Sequence, residues 1–428
     1  MNKSQIKSAF EKLHTLPVVL IMDHSRAGNV FFMRVFDQHP HMHCVPFVNY
    51  FFSSALKIFN GRESCSFDTA LEILNGSDFG EIYRDIDDSA RRKFQRMGDD
   101  IDGPIDREQV RHVIHTVLAD KTDITIRDLV AAYNLAYSIG TGQVLDEKQC
   151  VVMADSLSDA PSTLRAYFDG AYADSRIIHL VRDPRACFAS VRHQYVSQHG
   201  SMYPITRPFS RNMTFGYGGV WLYAMVSALG GAQALRAWEK TRTSDTFKRV
   251  RNEDINIHFV ETMQGLSEWL GVPFHDYWAD EDYYPTSNGR LWLGISAYSA
   301  NFTLHDSREL TDEDKKLLPK PNREVTERWK KRVTPSELAL IEALLHDEMK
   351  VMGYTPHQSS GPISFWSTIQ LSLPLFSDEW PTLNFTDSIG HKEKTLERLL
   401  RPVLLPVMYI FSRFKMIFFL KHGAFRVE

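Results

Sequence analysis

Apolar residues run without a break through Val18-Val19-Leu20-Ile21-Met22, through the "CVVMA" of 150–154 and through the "RIIHLV" of 176–181. Short unbroken runs bounded by polar turns predict strands buried on both faces. Between the first run and the later ones the period changes. The stretch "TIRDLVAAYNLAYSIGTG" opens with Thr125 three residues before Asp128, a capped start, and is expected to stop at Gly140. Strands separated by long helical connections cannot be hairpins, so the pattern predicts an α/β fold with a parallel sheet and crossover helices on its faces.

Further along, "RVTPSELALIEALLHDEMKVMGY" predicts a helix with Thr334 as N-cap, Pro335 at its first position, Glu337 closing a capping box and Gly353 as the stop. The serine and proline content of "PHQSSGPISF", residues 356–365, marks a linker. Beyond it, "LLRPVLLPVMYIFSRFKMIFFLK" is strongly apolar but carries Arg401, Arg413 and Lys415 and is broken by Pro402 and Pro406. Spanning a bilayer takes about 20 uninterrupted apolar residues. The tail therefore reads either as a terminal helix packed on the body or as a peripheral membrane contact with its basic groups at the headgroups.

Composition narrows the partners. The chain has 428 residues, 43% of them apolar, enough for a large core, and 49 basic against 53 acidic residues give a net charge of −4. No global field draws it to nucleic acid. Cys44, Cys65, Cys150 and Cys187 lack CxxC spacing, which suggests neither a zinc knuckle nor a disulfide framework. The N-terminal "MNKSQIKSAFEKLHTLP" has no apolar secretion core, and the expected location is cytoplasmic. Any anion must be held by local geometry.

Two turns offer that geometry, each just past the carboxyl end of an expected strand, where parallel α/β sheets bind ligands. In "DHSRAGNV" the backbone N–H groups that open a helix suit a phosphate or sulfate, Gly28 lets the backbone come close, and Arg26 adds a fork of charged donors. The stretch is not a Walker A loop, which needs a leading Gly and a Lys-Ser/Thr pair. In "VRDPRACFAS" Arg182 stands on the strand tip, Asp183 can cap, Pro184 is a natural first helical residue, and Ser190 falls about two turns into the helix. Arg182 and Ser190 could together hold a second phosphate.

These two turns resemble the motifs of the sulfotransferase superfamily that uses 3′-phosphoadenosine 5′-phosphosulfate. The first family motif, R-S-G-T-T followed by an apolar stretch and D-x-H-P, is matched by Arg26-Ala27-Gly28-Asn29-Val30 and by Asp37-Gln38-His39-Pro40. The second, an apolar strand running into R-D-P-R with a Ser eight residues beyond the first Arg, is matched by Arg182-Asp183-Pro184-Arg185 and Ser190. "RVRNEDI", "GLSEWLGVPF" and the closing helix also resemble family segments, so the likeness covers roughly residues 17–355. It implies a P-loop NTPase-like parallel sheet flanked by helices in a sulfotransferase domain of residues 1–355, with a helical insertion at 55–149 on the acceptor side and an extension at 356–428.

The resemblance further implies transfer of a sulfuryl group from that nucleotide to a hydroxyl or amine, with no metal. Arg26, Ala27, Gly28, Asn29 and Val30 would cradle the 5′-phosphosulfate, and Arg182 and Ser190 would grip the 3′-phosphate. Ser296, in "NGRLWLGISAY", would add a contact from a late loop. Asn29 and Val30 replace the two family hydroxyls. The acceptor's proton needs a base, and because Pro46 stands where a protein-tyrosine sulfotransferase has its Glu, His41 and His43 are the candidates. A zinc cluster of His39, His41 and His43 would require all three on one strand, whereas the family register puts His39 and Pro40 at a helix end. The expected acceptor is a sugar or glycolipid. The rivals are a P-loop kinase, which would need the absent Lys and Ser/Thr, and a nucleotide-binding pseudoenzyme of the same fold.

Overall fold

The computed structural model describes residues 1–23, 26–46, 51–75, 105–156, 164–190 apart from 165, 169, 171 and 173, 232–292 apart from 234, and 316–357 apart from 317. Ser296 lies outside the described residues, as do residues 76–104 of the expected insertion and the tail beyond 357. Among the described residues the chain separates into two compact units. One holds residues 1–23, 28–180 and 242–321; the other holds 26–27, 181–241 and 322–357.

The first unit is built on the sheet. Its strands are β1 (Val18–Asp23), β2 (Met42–Cys44), β3 (Cys150–Ser156), β4 (Arg176–Val181) and β5 (Phe247–Arg251), in the order β2-β3-β1-β4-β5. β1 pairs in parallel with both β3 and β4, and β2 in parallel with β3. Every residue of β1 is buried, which is why its sequence is an unbroken apolar run and not an alternating one. The chain fills one side of β1 with β2 and β3, then crosses to place β4 and β5 on the other. The carboxyl ends of β1 and β4 therefore flank a topological switch point, the position where open α/β sheets bind ligands.

Helices cover the sheet. They are α1 (Lys3–Thr15), α2 (Asn29–Val35), α3 (Phe51–Phe59), α4 (Phe67–Leu74), α5 (Arg107–Leu118), α6 (Ile126–Thr141), α7 (Asn252–Ile257) and α8 (Phe259–Leu270). α6 starts as its sequence predicts, with a capping box between Thr125 and Asp128. It does not stop at Gly140. The helix runs to Thr141 and is capped by Gly142 in the left-handed region, φ 73°. Gly140 serves packing instead, since a Cβ there would meet Val110 Cγ2 of α5 at 2.7 Å and the Asp106 carbonyl at 3.3 Å. Two glycines two residues apart thus have different jobs, close approach for one and chain reversal for the other.

A short hairpin, Thr286–Ser287 with Arg290–Leu291, turns through Asn288 (φ 51°) and Gly289 (φ 74°), the Asn-Gly pair that a two-residue hairpin favours. It is latched to the end of α2. Asp37 Oδ2 accepts from Thr286 Oγ1 and from the Gly289 N–H, both at 2.8 Å. Burial pushes the Asp37 carboxyl above its usual range, and those two bonds act in the opposite sense. Trp292, just past the hairpin, is buried with the Arg34 guanidinium 4.7 Å over its ring. No helix among the described residues is long and apolar enough to cross a membrane.

In the second unit, residues 184–190 are helical. The closing helix spans Pro335–Leu344 with the expected Thr334–Glu337 capping box, and breaks at Leu345 (φ −114°, ψ 20°) before a last turn, His346–Val351.

Gly140→Ala should destabilise the protein by about 1–3 kcal/mol through overpacking against α5, although Ala in a helix is ordinarily better than Gly by about 1 kcal/mol. Denaturant unfolding of the variant checks this, and a stabilised variant would contradict the close-approach role.

Candidate functional site

The turn after β1 is held from one side by the turn after β4. Arg26 adopts φ 66°, a left-handed conformation that costs a non-glycine residue roughly 1–2 kcal/mol. Its carbonyl accepts from Arg182 Nη1 at 3.0 Å, and its own Nε donates to Ser190 Oγ at 3.2 Å. Cys187 Sγ lies 4.0 Å from the same carbonyl and 3.9 Å from the Arg182 carbonyl, under the junction. Arg26, Arg182 and Ser190, separated by up to 164 residues in the chain, are thus brought together. Both guanidinium groups are half-buried. Two guanidinium groups and a hydroxyl make a donor-rich arrangement, suited to an anion of two or more charges.

Arg182 does more here than its motif suggests. By donating to the Arg26 carbonyl, it stabilises the strained turn as well as presenting charge. The two Arg residues that sequence reasoning assigned to opposite ends of a nucleotide meet at one place, with Arg26 Nε on the serine expected at the 3′-phosphate.

The rest of the first turn belongs to the sheet unit. Gly28 is the N-cap of α2 with φ 98°, and a Cβ there would lie 2.2 Å from Asn252 Nδ2. Glycine is therefore required twice over, by conformation and by contact. Asn252, at the start of α7, was not singled out from sequence, and its position in "RVRNEDI" just after a strand was the available signal. Ala27 is buried, and Asn29 is nearly so. Asn29 Oδ1 accepts from the Val30 N–H at 2.8 Å, which leaves the NH₂ end of its amide to donate.

His41 and His43 are not at this end of the sheet. His43 pairs level with Val151, and Val151 with Val18, the first residue of β1, whereas the turn follows Asp23, the last. Five residues of strand separate the two levels, about 16 Å. The reason is topological: a crossover helix must return the chain to the amino ends of the strands, so residues following α2 arrive on the side away from the turn that precedes it. His43 is buried on β2 against Tyr137, and His41 Nδ1 lies 3.4 Å from the Glu147 carbonyl. Neither is placed to take a proton from an acceptor at the carboxyl ends. Carboxylates do stand there, at Asp23 and Asp155 near the ends of β1 and β3. Asp155 carries no motif and was missed from sequence.

His39 is a structural cap. Its Nδ1 accepts from the backbone N–H groups of His41 (3.1 Å) and Met42 (3.2 Å), and its ring packs on Trp278 and His275. Only Met42–Cys44 forms strand, so the three alternate histidines do not share one strand face.

This parallel α/β sheet flanked by helices has the plan of a P-loop-like fold. A model described as the sulfotransferase family matches residues 17–276, more than half of the chain, and the chain belongs to that family. It is similar to the sulfotransferase domain from a Synechococcus olefin synthase, at 13% identity over 78% of this chain and 93% of that one, with a TM-score of 0.43. The sulfotransferase domain from the curacin biosynthetic pathway is similar at 13% identity over 76% and 96%, TM-score 0.42. A sulfotransferase from Mycobacterium avium is similar at 12% identity over 83% and 81%, TM-score 0.36. Comparison with the curated proteins finds no match.

Burial lowers the pKa of both His39 and His43 from 6.5 to about 3, with nearby positive groups, including Lys148, adding to the effect. The unfolded chain then takes up protons first as the pH falls. Stability is complete above pH 6.5 and is lost as the pH drops from there toward 3, with a limiting slope of about 1.4 kcal/mol per pH unit for each ring. Urea unfolding of wild type and His43→Gln between pH 7 and pH 5 should show a shallower decline in the variant; equal slopes would contradict the burial of a neutral His43.

Proposed function

We propose that this sulfotransferase takes its sulfuryl group from 3′-phosphoadenosine 5′-phosphosulfate and passes it to a hydroxyl or amine. The observation that carries the reading is the junction of Arg26, Arg182 and Ser190: a donor-rich cluster on a strained turn, stabilised by a bond between the two motifs. Donor sets of this chemistry fit a phosphate monoester such as a 3′-phosphate.

In this reading Arg182 and Ser190 grip the 3′-phosphate. Arg26 keeps Nε on Ser190 and turns the four N–H groups of its two Nη nitrogens toward the 5′ end, where charge builds on the bridging oxygen as the leaving nucleotide departs. The N–H groups of Ala27, Gly28 and Asn29, with the Asn29 amide, serve the 5′-phosphosulfate in place of the two hydroxyls that resembling sequences carry, while the Val30 N–H holds the Asn29 side chain in place. Sulfuryl transfer, like phosphoryl transfer, needs mainly in-line positioning and charge stabilisation. A sulfuryl group carries less negative charge than a phosphoryl group, so guanidinium groups can meet that need without a metal.

The acceptor oxygen must lose its proton at the carboxyl ends of the strands, which favours a carboxylate there, Asp23 or Asp155, over His41 or His43 as the base. For the acceptor we favour a sugar or glycolipid, with the 55–149 segment shaping its pocket and the apolar tail bringing the enzyme to lipid-borne substrate at the cytoplasmic face of a membrane. Ser296 remains the proposed late-loop contact.

Adenosine 3′,5′-bisphosphate should raise the melting temperature well beyond what AMP or ATP does, and equal shifts would overturn the donor assignment. Arg182→Ala should weaken bisphosphate binding by the loss of a charge-assisted bond, on the order of 1.5–3 kcal/mol. Arg26→Ala should lower turnover more than binding, as read from kcat and from the bisphosphate dissociation constant.

A further inference from the structure

We propose that Arg185 is a positioning residue for the grip on the donor's 3′-phosphate, anchored from the closing helix by Glu342. The inference rests on the donor assignment above and assigns Arg185 to orienting Arg182 and Ser190, with no phosphate contact of its own.

All three nitrogens of the Arg185 guanidinium donate within the protein. Nε donates to Asp183 Oδ1 (2.9 Å) and Oδ2 (3.1 Å), Nη2 to Asp183 Oδ2 (2.7 Å), and Nη1 to Glu342 Oε1 (2.7 Å). Its face lies over the Trp329 ring at 4.6 Å. The whole network is buried, with side-chain exposures of 6% for Arg185, 9% for Asp183 and none for Glu342. Burial alone would lower the Arg185 pKa, but the bonds and charges of Asp183 and Glu342 outweigh it, so the group stays charged. A guanidinium held in this way has a shape that Lys cannot reproduce, because only the planar fork holds one carboxylate through two nitrogens while the third reaches another.

The network fixes the segment that carries the grip. Asp183 Oδ1 also accepts from the Arg185 backbone N–H at 2.9 Å, which caps the start of helix 184–190. Arg182 immediately precedes that cap, and Ser190 lies on the same helix. The helix packs through Ala186 and Ala189 on Trp329, with Val333 and Leu338 beside it. Glu342 Oε2 accepts in turn from the His357 N–H at 3.1 Å, which ties the chain leaving the closing helix to the same carboxylate.

Charge gives a second reason for the arrangement. One guanidinium and two carboxylates leave the network with a net negative charge, next in sequence to Arg182. That excess favours a cationic side chain at the neighbouring position 182.

The test uses the full-length protein as wild type, Glu342→Gln and Arg185→Lys, each also combined with Arg182→Ala. Dissociation constants are measured by calorimetry for adenosine 3′,5′-bisphosphate and for AMP, which lacks the 3′-phosphate. Both single variants should weaken the bisphosphate about 10-fold and leave AMP within about two-fold. They should add nothing once Arg182 is replaced, because residues acting through one group are not additive. Glu342→Gln keeps the size and one acceptor oxygen of the native residue and guards against a misfolded Arg185→Lys. Equal losses for both nucleotides, effects additive with Arg182→Ala, or no effect at all would each overturn the proposal. A wild type that binds the bisphosphate no better than AMP would instead remove the donor assignment, and this inference with it.

Discussion

One hydrogen bond joins the two sequence motifs of the proposed donor site. Arg182 on the tip of β4 donates to the carbonyl of Arg26, which sits in a left-handed conformation beyond the tip of β1. Without a partner for that carbonyl, a non-glycine residue there would relax toward an ordinary turn, and the guanidinium that reaches Ser190 would swing away. The bond spans 156 residues of chain, so the two motifs support each other only in the folded protein.

Each unit has its own supports near the two motifs. In the sheet unit, Gly28 admits Asn252 where any side chain would collide, and Asp37 ties the 286–291 hairpin to the far end of the same α2. In the other unit, the buried pairing of Arg185 with Asp183 and Glu342 fixes the helix that bears Ser190. Buried ion pairs of this kind add little net stability compared with apolar packing, yet removing one partner is costly. Their value here is geometric.

Much of this was legible in the sequence, for reasons that differ by residue. The strands at 18, 150 and 176 could be read because burial on both faces leaves an unbroken apolar run, and Thr125 and Thr334 because a capping box is a local pattern. Gly140 misled because a glycine required by a neighbouring helix looks the same in sequence as one that ends a helix. His41 and His43 misled for a topological reason: proximity in sequence to the first motif suggested proximity in space, whereas the crossover carries them to the opposite end of the sheet. Arg182 and Ser190 could be paired from their motif, but the contact of Arg26 with Ser190 spans 164 residues and that of Arg185 with Glu342 spans 157. Such partners have no local signature.

The most direct measurement is a crystal structure of the protein with adenosine 3′,5′-bisphosphate bound. The account predicts 3′-phosphate oxygens within hydrogen-bonding distance of both Arg182 and Ser190, with the Arg182 to Arg26 carbonyl bond intact. A bisphosphate bound elsewhere, or a 3′-phosphate in solvent while those side chains stay as they are, would contradict it.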